Sequence, residues 1–195
     1  MTSLAARCTA VLLALGLLAA CKSEPPREQF PEIGFGHLSP IVLRAARLEI
    51  ERNYRPSGSA PQVEVPRPPL DAIERWAHER LRTTGQGGVA RLTVTDASVV
   101  EVALAVGQGL SYSFTTQQAK RYDAHLAVRL DILDPHGFSQ GQVTAEASNS
   151  RSIPQKATGR EIDEAEFLVV QGAMLDLNAE LERNIRQYLT RFVQP

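Results

Sequence analysis

Apolar residues along the 195-residue chain follow three rhythms. The first is an unbroken run, Ala10 to Leu18, with no charge in it. The second has a period of two. Ala46, Leu48, Ile50 and Tyr54 alternate with Arg47, Glu49, Glu51 and Asn53, which reads as a strand from about 41 to 54 with one wet face, although the composition around Leu43 would also suit a helix. The same rhythm returns at Ala90, Leu92 and Val94, and Asp96-Ala97-Ser98 bends or bulges that strand before it resumes at Val99 to Val106. It is clearest from Tyr122 to Leu133, where Tyr122, Ala124, Leu126, Val128, Leu130 and Ile132 share a face. Asp134-Pro135-His136-Gly137 then makes a hairpin turn into a return strand of small residues, roughly 138 to 153.

The third rhythm is helical. Leu70, Ile73, Trp76-Ala77 and Leu81 predict a helix over 69–84, opened by Pro69 and stopped by Gly85. Phe167, Val170, Met174, Leu177, Leu181, Ile185, Tyr188 and Phe192 predict a second helix over 161–192. Thr158 and Glu161 have the spacing of a capping box at its start. This helix should cover the face formed by Leu126, Val128 and Leu130. The pattern is that of an α+β fold: a mainly antiparallel sheet of about four to five strands with two helices packed on one face.

The segments between these elements are turn-like. Arg55 to Pro69 holds Pro56, Pro61, Pro66, Pro68 and Pro69, which excludes a central strand, although Val63 and Val65 suit a sheet edge. Phe30 to His37 is apolar with glycines and reads as either an edge strand or a docking loop. Gly85-Gln86-Gly87-Gly88 follows a helix and precedes a strand, the reverse of a phosphate-binding loop, so it is a turn.

Charge adds little. There are 21 basic and 22 acidic residues, and residues 1–20 contain only Arg7 among them. No basic field argues for nucleic acid. No HExxH, CxxC, GxSxG or GxGxxG motif is present. His37, His78, His125 and His136 lack metal-ligand spacing, and turn chemistry accounts for His136 beside Asp131 and Asp134. Asp123, His125 and Asp131 share a strand face, and Ser98 lies near Asp96 without a base, so no catalytic or metal residue is assigned. The segment 107–118 sets Leu110, Tyr112 and Phe114 in alternation, aromatic in a chain with 6% aromatics, and is a candidate partner-contact loop. An inward-packed hairpin explains it equally well.

The opening run has the short apolar core and small-residue end of a secretory leader and is too short to span a bilayer. It closes on Leu18-Ala19-Ala20-Cys21, which resembles the lipobox of bacterial lipoproteins. That resemblance implies cleavage before Cys21 and acylation of its thiol, with each buried CH₂ worth about 0.8 kcal/mol of membrane attachment. The other cysteine, Cys8, leaves with the leader, so no internal disulfide remains. The implied organisation is a leader at 1–20, a lipidated cysteine and Pro-rich tether at 21–31, and one α+β domain at 32–195. Lys22 is not aspartate, which by the same resemblance favours the outer membrane.

From Ala119 onward the chain has an Arg-Tyr strand start, an Asp-initiated hairpin, a small-residue return strand and a Glu-rich closing helix. With the lipobox and the 69–84 helix, this resembles the lipopolysaccharide-assembly lipoprotein that plugs an outer-membrane translocon. It also resembles the auxiliary lipoproteins of ABC-type lipid transporters. The Cys-Gly-Phe start of the first family is lacking, and Gly34-Phe35-Gly36 is a distant echo. The resemblance implies a non-catalytic accessory protein with no cofactor beyond the lipid on Cys21. Its partners would be the membrane and an outer-membrane barrel or an ABC transporter component. A lipid- or small-molecule-binding module and an envelope hydrolase are the rival readings.

Overall fold

The computed structural model describes residues 30–54, 62–104 and 118–194. The strands are β1 (Ile41–Leu43), β2 (Arg47–Arg52), β3 (Leu81–Thr83), β4 (Val89–Ala103), β5 (Gln118–Leu133) and β6 (Ser139–Pro154). The helices are α1 (Pro69–Arg80) and α2 (Gly159–Tyr188), and a 3-10 turn spans Thr190–Phe192. Four strands form one sheet in the order β2-β4-β5-β6, and β1 and β3 form a small second one. The fold is α+β, as the patterning predicts. β4, β5 and β6 are antiparallel, whereas β2 runs parallel to β4 and β1 parallel to β3.

The strand expected over 41–54 is broken in two. Its middle is held by backbone bonds to distant segments: Arg44 N–H to the Phe192 carbonyl (2.7 Å), and Ala46 N–H to the Gly88 carbonyl (2.7 Å). These bonds turn the chain out of the small sheet and into the large one. Gly88 is obligatory there, because a Cβ would lie 1.6 Å from the Leu133 carbonyl oxygen.

The β4 bulge falls where the sequence places it. The register shifts between Val94 and Asp96. One extra residue inverts the alternation, so Ala90, Leu92 and Val94 are buried before it, and Ala97 and Val99 after it. The hairpin between β5 and β6 is also as read, with Asp134 Oδ1 accepting from the His136 and Phe138 amides (2.8 and 3.0 Å) and Gly137 at φ 88°. The 62–65 segment does ride on the sheet: Val63 N–H bonds the Val99 carbonyl (3.0 Å).

Both helices end earlier than the periodicity predicts. The helix expected over 69–84 stops at Arg80, because Leu81 turns extended (φ −100°, ψ 130°) and enters β3 opposite Ile41. The second helix starts at Gly159, with the Thr158–Glu161 capping box formed, and stops at Tyr188 rather than 192. Tyr188 does not join the buried stripe. It is 65% exposed, and the core line runs from Leu181 through Ile185 to Leu189 instead. α2 lies against β5 and β6, over Leu126, Val128 and Leu130, which are 0–2% exposed. Most of the buried apolar residues, from Ile33 to Leu189, form one hydrophobic cluster.

Candidate interaction surface

Among the described residues, four regions hold groups with chemistry to offer. The first joins the helices. Trp76 and Arg80 lie one turn apart on the buried side of α1, each 1% exposed. The Trp76 indole N–H donates to Asn178 Oδ1 of α2 (2.8 Å), and Arg80 Nε donates to the same oxygen (3.3 Å). The Arg80 guanidinium also donates to the Ser39 carbonyl and to the Glu182 carboxylate, which Arg186 pairs from its other side (2.8 Å). These bonds clamp α1, α2 and the N-terminal segment together. Sequence reading missed Arg80, though its place on the Ile73–Trp76 stripe was a usable signal.

The second region is the 30–36 segment. Of the two expected elements, an edge strand or a docking loop, it is not the strand; it is a loop, and it packs on its own chain. It straps across α1: Ile33 and Phe35 are buried, Phe30 stacks on Phe167 (5.0 Å), and Arg67 and Arg75 pair with Glu32 (3.2 and 2.8 Å). An open groove of about 540 Å³ runs between strap and helix, with Ile33, Pro68 and Ala72 among its lining residues. The guanidinium groups on its rim are spent on Glu32 and do not converge on a ligand position.

The third region is the sheet face away from the helices. Arg47 and Arg91 both hold Glu49, and their hydrogen bonds lower its carboxyl below the ordinary value. Arg121 likewise lowers Asp123, and Arg129 pairs Asp131 (2.8 Å). His125 Nδ1 meets Ser148 Oγ at 2.8 Å across the β5–β6 pair. That is the spacing of a base and nucleophile, but Asp123 is tied to Arg121 and Asp131 to Arg129, so neither orients the imidazole. His37, His78 and His136 are exposed on separate segments. Among the described residues no three His, Cys, Asp or Glu side chains are grouped to hold a metal. On the helix side, Tyr122 donates to Glu101 (3.2 Å), and burial, then Glu166 and Glu101, push its phenol up out of the ordinary range.

The fourth region is the outer edge of β6, a 16-residue strand that, among the described residues, is paired on one side only. An edge of that length is normally shortened, charged or covered. Here the cover is partial. Asn184 of α2 donates to the Thr144 carbonyl (2.8 Å), and Arg191 donates to the Gln140 carbonyl. Beyond Thr144 the strand carries Glu146, Ser148, Ser150, Arg151 and Ser152, all exposed. Among the described residues nothing closes this half of the edge with a backbone bond. It is the surface best suited to receive another extended chain.

Cys21, Leu110, Tyr112 and Phe114 lie outside the described residues. No described helix is long and apolar enough to cross a membrane.

No family model matches the chain, and no curated protein sequence matches it. A solved structure, a minor lipoprotein from Acinetobacter baumannii, is similar to it at 16% identity and a TM-score of 0.37. That alignment covers 78% of this chain and 99% of the other. A likeness of that size says nothing of activity or partners.

Proposed function

We propose that this chain is a lipid-anchored, non-enzymatic accessory lipoprotein of the bacterial cell envelope that works by protein–protein contact. The observation that carries the reading is the β6 edge, open beyond Thr144 among the described residues, beside a closely packed core. The Leu18-Ala19-Ala20-Cys21 sequence supports the anchor. The paired carboxylates of the outer sheet face speak against a hydrolase, since Asp123 and Asp131 are each held by an arginine. Within this reading, the narrower role is assistance to lipid or lipopolysaccharide transport at the outer membrane. It rests on the order of elements: a helix, a long hairpin and a closing helix.

The test is an affinity pull-down from detergent-solubilised membranes with the intact protein and a Cys21→Ala variant. The expected result is a stoichiometric outer-membrane barrel or transporter component, lost with Cys21→Ala. Recovery of the protein alone, or the same membrane association for both proteins, overturns the reading.

A further inference from the structure

We propose that the open half of the β6 edge pairs with the same segment of a second copy of this chain, antiparallel, about a two-fold axis at Asn149. The proposal rests on the accessory-protein reading and deepens it by naming one partner.

Backbone groups alternate along a strand. The Thr144 carbonyl, inside the regular stretch of β6, accepts a side-chain bond from Asn184 at the edge. The amides and carbonyls of Glu146, Ser148, Ser150 and Ser152 therefore point the same way, out of the sheet. β6 is regular in its pairing with β5 from Gly141 to Ile153, so no bulge disturbs this phase. Centring the axis on Asn149 brings Ser148 opposite Ser150 of the second copy and Glu146 opposite Ser152. Every hydrogen-bonded pair then joins two residues whose backbone groups face outward. No like charges stand opposite each other.

Charge complementarity selects this occupant. Arg151 is exposed and lies on the α2 side of β6, in phase with the buried Ala145, Ala147 and Ile153. Within its own chain no described acid pairs with it. The side of α2 along the β6 edge is fixed at two points: a Cβ on Gly172 would meet the Asn149 amide at 2.6 Å, and Asn184 bonds Thr144. Asp176 and Glu180 fall between these points at intervals of four residues, so they lie on the same stripe. Asp176 is exposed and Glu180 is half-buried. The two contacts set α2 antiparallel to β6, and Asp176 then stands level with Ala147. In the two-fold arrangement Ala147 faces Arg151 of the second copy. Each Arg151 thus arrives beside the other copy's Asp176, with Glu180 one turn further along. Arg183 lies beyond Glu180, nearer the capped end of the edge. The contact is isologous and closes after two copies.

The test uses the full-length protein in its native membrane. Asn149→Cys places two thiols across a non-hydrogen-bonded antiparallel pair, where Cα atoms sit about 4.5 Å apart, within disulfide range. The wild-type chain and Asn53→Cys, an exposed site near the opposite edge, are the controls. A covalent dimer on mild oxidation for Asn149→Cys alone is expected. Ser148→Pro removes an outward N–H without touching the β5 ladder and should abolish self-association while leaving the circular dichroism unchanged. Arg151→Asp should weaken self-association about tenfold, and Arg151→Asp with Asp176→Arg should restore it. Monomeric Asn149→Cys, equal dimerisation of Asn53→Cys, or failure of the charge swap to rescue overturns the proposal. A captured barrel together with a monomeric Asn149→Cys protein would sink the dimer alone. A covalent dimer of the Asn149→Cys variant with no captured partner would sink the accessory role alone.

Discussion

Replacing Arg80 by alanine tests whether the clamp between the helices holds the fold together. Arg80 is 1% exposed and reaches Ser39, Asn178 and Glu182 at once. Three consequences follow from its removal, and they differ in size. The Ser39 carbonyl loses its donor, a net cost of about 1 kcal/mol, because Ser39 is itself exposed and water can take the donor's place. The space once filled by the side-chain stem adds about 1–2 kcal/mol. The lost ion pair adds little, because Glu182 is 28% exposed on its side chain and keeps Arg186 at 2.8 Å, so no buried charge is orphaned. Asn178 likewise keeps the Trp76 indole. The expected loss is about 2–3 kcal/mol. Arg80→Met, which refills the stem, should lose about 1 kcal/mol. Urea unfolding followed by fluorescence suits the question, because Trp76 is the only tryptophan and lies inside the network. A loss below about 1 kcal/mol at unchanged m-value would refute the reasoning, since the polar contacts would then be dispensable.

Two further changes probe other parts of the fold. Gly88→Ala should give no folded protein by circular dichroism, because a Cβ there meets the Leu133 carbonyl at 1.6 Å, backbone against backbone. Glu49→Gln should flatten the acid side of the stability curve. The Glu49 pKa is lowered in the folded state by hydrogen bonds from Arg47 and then Arg91, so its contribution is present above its ordinary 4.5 and is lost as pH falls through the lower folded value. Melting temperatures at pH 7 and pH 3 should therefore converge in the variant relative to wild type.

What could be read from the sequence is what is decided locally. The capping box at Thr158 and Glu161 and the Asp134-Pro135-His136-Gly137 turn need only neighbouring residues, and both formed as read. The β4 bulge was visible because Val94 and Ala97 belong to opposite phases of the alternation. The missed features depend on distant partners. Nothing near Arg80 ends α1; the stop is set by Leu81 pairing with Ile41, forty residues earlier. The break at 44–46 depends on Gly88 and Phe192. The parallel direction of β2 against β4 depends on the path taken by the α1 connection, and alternation carries no sign of direction. Of the candidate contact surface, the sequence supplied the small polar composition of β6, but not that it ends the sheet.

The two edges of the large sheet are built differently, and the difference bears on where contact is possible. At one edge, β2 is six residues long and carries Arg47, Glu49, Glu51 and Arg52, three of which are paired to β4 or to each other across the outer face. Short length and dense charge are the usual defences of an edge. At the other edge, β6 is 16 residues long, and serines replace the charges over much of its second half. Its defence is α2, which passes the strand at Asn184 and leads into the turn that brings Arg191 to Gln140. Cover therefore depends on how far the closing helix runs. Its last two turns and the segment after it shield 140–144, while Gly172 and the exposed Asp176 leave 146–152 accessible from the side. A sheet protected only for stability would be covered along the whole of β6. Among the described residues this one is closed over half its length. Arg151, which no described acid pairs, stands at one end of the gap, and the Asp176 and Glu180 carboxylates stand at the other. In the proposed dimer that gap is completed by the same edge of the second copy.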